Sequence, residues 1–148
     1  MILVDANLLL YAEDQSSLTR RRVYGGMKNF PSDPVCHCWT ILAACIRIAT
    51  DPRVFMHPKS RLDQPCTRMV DATDRHCVVF REMLEEGLAA ANLARDGHLA
   101  ALAVEHGCEL TSTDGNFARF RRLRRTNALK RGKRMLPFRE KKRGEAKP

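Results

Sequence analysis

The chain opens MILVDANLLLYAED (residues 1–14), and the reading of this stretch decides the fold. Ile2, Leu3 and Val4 form a short β-type run that stops at Asp5, and the run from Asn7 to Tyr11 can begin a helix directly after it. A carboxylate therefore stands at the C-terminal end of a buried strand, in a strand-to-helix turn. A charge there is costly without a partner, so Asp5 must leave the sheet and face something.

Working outward, residues 17–28 read as a charged helix, stopped by Gly25, Gly26 and the proline-bracketed loop at 30–34. WTILAACIRIAT (39–50) is almost continuously apolar and long enough for a buried helix; it must end before Asp51-Pro52, because a proline pushes its predecessor out of the helical region. Residues 57–67 read as loop and 68–71 as a short strand. Val79, Phe80, Met83 and Leu84 share one face of a helix over 74–86, with Gly87 placed as its C-terminal stop. The pattern repeats over 96–106 and ends at Gly107. Residues 108–111 form another β-type run, followed by the turn cluster Ser112-Thr113-Asp114-Gly115-Asn116. Strands alternating with helices predict an α/β fold with a mostly parallel central sheet. There is no internal repeat.

Three aspartates fall at related places in this frame. Asp5 follows the first strand, Asp114 follows the last, and Asp96 opens the helix before that last strand. Ligands of open α/β sheets bind outside the carboxyl ends of the strands, which would put Asp5 and Asp114 in one cleft, with Asp96 able to join them. Carboxylates gathered there repel unless a cation neutralises them, and hard oxygen ligands suit Mg²⁺, with Mn²⁺ as a possible substitute. Each has a plainer use as well: Asp96 as a helix N-cap, Asp114-Gly115 as a turn pair. Asn7 would orient Asp5 or a phosphate, or else cap the first helix. Thr113 would hold a ligand water. His98, two residues beyond Asp96, should point to another helix face and act in packing or at the surface. Arg47 is expected to snorkel or pair with a carboxylate.

MILVDANLLLYAED, IRIATDPRVF (46–55) and NLARDGHLAALAVEHGCELTSTDGNFARF (92–120) together resemble the PIN-domain ribonucleases of the VapC toxin group. The resemblance covers most of residues 1–120. It implies a Rossmann-like three-layer α/β/α sandwich, Mg²⁺-dependent cleavage of RNA, a cognate antitoxin that blocks the site, and a homodimer formed through the early helices. It carries the family's metal ligands onto Asp5 and Asp96, with a further acidic position on Asp114. Two departures accompany it. The acidic residue often found before the hydrophobic-Arg pair of the second motif falls on Ala44, and the last carboxylate of the third motif is Asn116, an amide that can still offer an oxygen. The segments after Glu13 and after Phe55 are also several residues short. The alternative is a degenerate PIN domain that binds antitoxin or RNA without cutting. A phosphatase with an aspartyl nucleophile ranks lower, since it requires a second Asp where this chain has Asn7.

The formal net charge of +9 divides unevenly over the 148 residues. Residues 1–120 hold 13 Lys/Arg and 15 Asp/Glu, whereas 121–148 hold the other 13 Lys/Arg with only Glu140 and Glu145. The expectation is one nuclease-like domain over 1–120 and a basic, disordered tail over 121–148 that either engages polyanions or only solubilises. No apolar run is long enough to span a membrane and no secretory signal opens the chain, so a cytoplasmic protein is expected. The six cysteines lack metal-ligand spacing, and Cys45, Cys77 and Cys108 sit among apolar residues as reduced core thiols would.

Overall fold

The computed structural model describes residues 1–13, 34–54 and 68–127. The opening reading holds: β1 is Ile2–Val4 and α1 is Ala6–Glu13, with Asp5 between them. β2 (Val35–His37), α2 (Trp39–Ala49), β3 (Arg68–Met69), α3 (His76–Gly87), α4 (Leu93–Glu105), β4 (Glu109–Thr111), a 3-10 turn (Gly115–Arg119) and β5 (Arg125–Thr126) follow. The predicted helix at 17–28 and loop at 57–67 lie outside the described residues.

The five strands form one parallel sheet in the order β3-β2-β1-β4-β5. β1 is central, flanked on both sides, and its three residues are at most 4% exposed, which is why the run ILV carries no polar position. From β1 the chain steps outward to β2 and β3, then returns across the sheet to β4 and β5. The right-handed crossover rule assigns the helices of the two halves to opposite faces of the sheet. α1 packs on α2 and α3 on α4. The result is the expected α/β architecture, with the strand order reversing between β1 and β4.

Four features depart from the sequence reading. β2 was not foreseen, because three residues of which one is His37 carry no periodic signal; the strand exists through its register with Ile2 and Leu3. The boundary at 120 falls inside the folded unit: Leu123 is buried, Leu110 N–H donates to Arg124 O at 2.8 Å, and Ser112 N–H donates to Thr126 O at 3.1 Å. Arg121, Arg122, Arg124 and Arg125 thus belong to the fold, and of the predicted tail residues 128–148 lie outside the described residues. Cys77 is exposed, whereas Cys36, Cys38, Cys45 and Cys108 are buried, and none of these five is in a disulfide. Cys66 lies outside the described residues.

The fourth departure concerns Gly87, which is the last residue of α3 and not the stop beyond it. The left-handed cap is Leu88, at φ 46°. Gly87 is required for a different reason: a Cβ there would stand 2.4 Å from Phe120 Cε1. Gly107, at φ 61°, does end α4 as expected.

Candidate active site

The C-terminal ends of β1 and β4 adjoin at the point where the strand order reverses, and a cleft of about 150 Å³ opens there. Asp5, Asp96 and Asp114 all line it, as do Asn7 and Ala44. Asp5 N–H donates to Thr111 O at 3.1 Å, which ties the exit of β1 to the end of β4. The Asp5 carboxylate is held at both oxygens: Oδ1 accepts from Ala6 N–H at 2.7 Å and Oδ2 from Ser112 Oγ–H at 2.6 Å. Ser112 Oγ accepts in turn from Asp114 N–H at 3.0 Å. One buried serine therefore fixes the spacing of two carboxylate-bearing backbones.

Asp114 begins the 3-10 turn, where its Oδ1 accepts from Asn116 N–H at 2.8 Å. Turn residue and cleft residue are here the same residue. Asp96 lies in the first turn of α4, three residues past the helix start at Leu93, so it is not the N-cap; Asn92 holds that position. A carboxylate in the first turn is stabilised by the free N–H groups at the helix N-terminus.

The electrostatics of the three are unbalanced. Burial pushes the Asp5 carboxyl above the ordinary aspartate value, against the lowering effect of the Ser112 hydrogen bond, and the Asp114 charge adds to the rise. Burial likewise raises Asp96, followed by repulsion from Asp114 and then Asp5. Arg95, also in the cleft wall, lowers both. Desolvated, mutually repelling carboxylates are what an oxygen-seeking cation relieves. The Asn7 side-chain oxygen, buried in the same wall, has no hydrogen-bond partner among the described residues, which adds an uncompensated oxygen to the set. Among the described residues, no three Asp, Glu, His or Cys side chains converge tightly enough to hold an ion by themselves. The donor chemistry fits a hydrated Mg²⁺ that keeps several waters, and does not fit a closed all-protein cage.

The remaining predicted residues part company. Asn7 is the second residue of α1, so it is not the cap of that helix. Thr113 does not line the cleft; the hydroxyl beside the carboxylates is Ser112. Asn116 is exposed and serves Asp114 through its N–H, with its amide nitrogen 3.4 Å from Asp114 Oδ2. His98 is half-buried and off the cleft wall, as its helical offset from Asp96 requires, but its Nε2 lies 3.2 Å from Oγ1 of Thr40, which does line the cleft. Ser112, Thr40 and Arg95 were missed. Ser112 was findable by the rule that singled out Asp5, a polar residue directly after a buried strand.

An all-parallel α/β domain with three carboxylates at its switch point belongs to the PIN-like class. Similar folds occur in VapBC2 from Rickettsia felis bound to a promoter DNA fragment, with TM-score 0.66 and 18% identity over 86% of this chain and 98% of that one, and in FitAcB from Neisseria gonorrhoeae, with TM-score 0.64 and 17% identity over the same shares. No family model matches the chain. Curated relatives are closer in sequence. Ribonuclease VapC37 of Mycobacterium tuberculosis is 36% identical over 138 residues, covering 84% of this chain and 94% of that protein; VapC ribonuclease Mb2897 of Mycobacterium bovis is 34% identical over 137 residues, covering 84% and 92%. Ribonuclease VapC25 of Mycobacterium tuberculosis is 32% identical over 136 residues, covering 84% and 96%. This chain belongs to the VapC ribonuclease family.

Proposed function

We propose that this protein is a Mg²⁺-dependent endoribonuclease, the toxin of a toxin-antitoxin pair, that hydrolyses RNA phosphodiester bonds in the cleft between β1 and β4. The observation that carries the reading is the pair of desolvated carboxylates Asp5 and Asp96, with Asp114 beside them, around one cleft with an unsatisfied amide oxygen. Mg²⁺, when bound, would supply a water activated for attack and neutralise charge building on the phosphate. Asp5 and Asp96 would hold the ion directly and Asp114 would do so directly or through water. Ser112 keeps Asp5 oriented, Asn7 and Asn116 support the rim, and Arg95 is placed to meet a phosphate oxygen. The partners are RNA as substrate, an antitoxin that occupies the cleft, and a second copy of the chain. A cytoplasmic location follows from that substrate and partner. Among the described residues no helix is long and apolar enough to cross a membrane.

A second reading has its own observation. Ala44 lines the cleft where the family often has an acidic residue, and Asn116 is not part of the cleft lining, which together suit a degenerate domain that binds antitoxin or RNA without cutting. Calorimetric titration with Mn²⁺ separates the two. Saturable binding at or below millimolar metal, abolished by Asp5→Asn, is expected of the nuclease; no saturable binding would favour the degenerate domain.

Residues 128–148 hold nine Lys/Arg against Glu140 and Glu145 and would raise the local concentration of RNA. Because β5 and Leu123 belong to the fold, the informative truncation ends at Asn127 and not at 120. It should weaken RNA binding and reduce the slope of log affinity against log salt by up to about 0.7 per cation removed. A slope that does not change would show the segment to be a bystander.

A further inference from the structure

A partly buried chain of hydrogen bonds runs from the C-terminal end of α4 to the cleft wall. Glu105 Oε2 accepts from both Thr73 N–H, at 3.1 Å, and Thr73 Oγ1–H, at 3.0 Å. Arg75 N–H donates to the same Thr73 oxygen at 3.2 Å, which commits the Thr73 proton to Glu105. The other Glu105 oxygen, Oε1, lies 2.6 Å from His76 Nδ1; His76 Nε2 lies 2.9 Å from His98 Nδ1; and His98 Nε2 lies 3.2 Å from Thr40 Oγ1. The Glu105 side chain is 3% exposed and that of His76 13%. Phe80 stacks on His76 at 5.6 Å between centroids and meets His98 edge-on at 5.9 Å, so neither imidazole is free to turn.

The polarity of this chain is determined from its Glu105 end. A carboxylate only accepts, so a neutral His76 carries its proton on Nδ1 and presents the Nε2 lone pair. His98 must then donate from Nδ1 and present its own Nε2 lone pair, and Thr40 must donate its hydroxyl proton to that nitrogen. The buried Cys38 sulfur is also within hydrogen-bond reach of the Thr40 side chain, but a thiol sulfur is a weak acceptor and the imidazole nitrogen is the stronger claimant to the Thr40 proton. With its one proton committed, the Thr40 oxygen offers only lone pairs to the cleft.

We infer that Glu105, His76 and His98 hold Thr40 as a hydrogen-bond acceptor in the cleft wall, where it accepts a hydrogen bond from, and so orients, a hydroxyl of the substrate complex, either the attacking water or a ribose 2′-hydroxyl. Thr40 touches the reacting groups; Glu105, His76 and His98 are positioning residues that act through it. The inference deepens the nuclease reading and rests on it.

Glu105→Gln is the decisive variant because it is isosteric and remote. The two Thr73 donors retain the Gln oxygen, so its amide N–H faces His76 Nδ1 and reverses the whole chain. His76 then donates from Nε2, His98 donates from Nε2 to Thr40, and Thr40 can no longer act as a fixed acceptor. In the full-length protein at neutral pH, long-range proton-nitrogen correlation NMR of the imidazoles should show His98 protonated on Nδ1 in the parent and on Nε2 in Glu105→Gln. A parent His98 protonated on Nε2, or a tautomer that the substitution leaves in place, overturns the inference.

With bulk bacterial RNA and Mg²⁺, Thr40→Val should lower cleavage about tenfold, Thr40→Ser should restore it, and Glu105→Gln should reproduce the Thr40→Val loss. A fall in kcat at constant KM identifies the water as the donor; a rise in KM identifies the ribose hydroxyl. Thr40→Val cleaving at the parent rate, or Thr40→Ser as slow as Thr40→Val, overturns the role. Failure of the nuclease reading itself is separately visible as cleavage that survives Asp5→Asn, and the NMR result stands apart from it.

Discussion

Asp5→Asn should lower RNA cleavage by at least about a thousandfold while raising the thermal stability of the protein. The loss of activity follows from position. Asp5 is the carboxylate at the end of the central strand, held at both oxygens by Ala6 and Ser112, so it is the most rigidly aimed of the three. Removing a preorganised charge from a site of this kind commonly lowers kcat by about 10²–10³, and on the proposed function a ligand of the ion is lost with it.

The gain in stability follows from the sign of the carboxyl's shift. Its folded value is raised above 3.8, first by burial, so its stabilising contribution is present below 3.8 and is lost as the pH rises through the folded value. At neutral pH the charged group is therefore a liability that the amide removes. The melting temperature of Asp5→Asn minus that of the parent should be positive near pH 7 and shrink towards acid pH. An inactive variant that melts lower than the parent would instead make Asp5 a structural residue. Opposite movements of activity and stability are the signature of a functional group kept against the interests of the fold.

Gly87→Ala should destabilise the protein although alanine is the better helix former. The new Cβ would meet Phe120 Cε1 at 2.4 Å and Cδ1 at 2.9 Å, and Phe120 is 1% exposed and packed on Phe117 at 6.3 Å, so the ring has nowhere to go. Overpacking of this kind costs about 1–3 kcal/mol, which the roughly 1 kcal/mol helix preference of Ala over Gly offsets only in part. A fall in melting temperature of about 3–8 °C is expected. Leu88→Gly should move the other way by about 3 °C, since Leu88 is 86% exposed, is held at φ 46° and buries nothing in return. Thermal unfolding of the two variants side by side tests both. An alanine at 87 that stabilises would show that Phe120 yields.

These two glycine-related positions show what the sequence could and could not reveal. A glycine after a periodic run reads as a left-handed stop, and at Gly107 it is one. At Gly87 the same letter serves a close approach by a ring 33 positions later in the chain, which no local pattern encodes. β1 was legible because three apolar residues ended in a charge, and α2 because its apolar run is long. β2 and β5 were not, because strands of three and two residues exist through pairing with β1 and β4, not through any preference of their own. The cleft was legible for the same reason as β1: charges placed after buried strands have few other places to go. Ser112 and Thr40 are common residues that become significant only beside Asp5 and His98. The chain from Glu105 to Thr40 links positions 105, 76, 98 and 40, an order that only the packing of α3 and α2 against α4 creates.

Because every strand of the sheet runs in the same direction, β5 ends at the edge where β1 and β4 deliver Asp5 and Ser112, and Ser112 N–H is bonded to Thr126 O itself. Whatever course residues 128–148 take, their root is pinned one strand away from the reacting centre. On the proposed function, the cationic segment would therefore start from the mouth of the cleft and not from a distant surface. Capture and cutting, as proposed, would then be divided between two parts of the chain, and the topology of the sheet is what sets their starting points side by side.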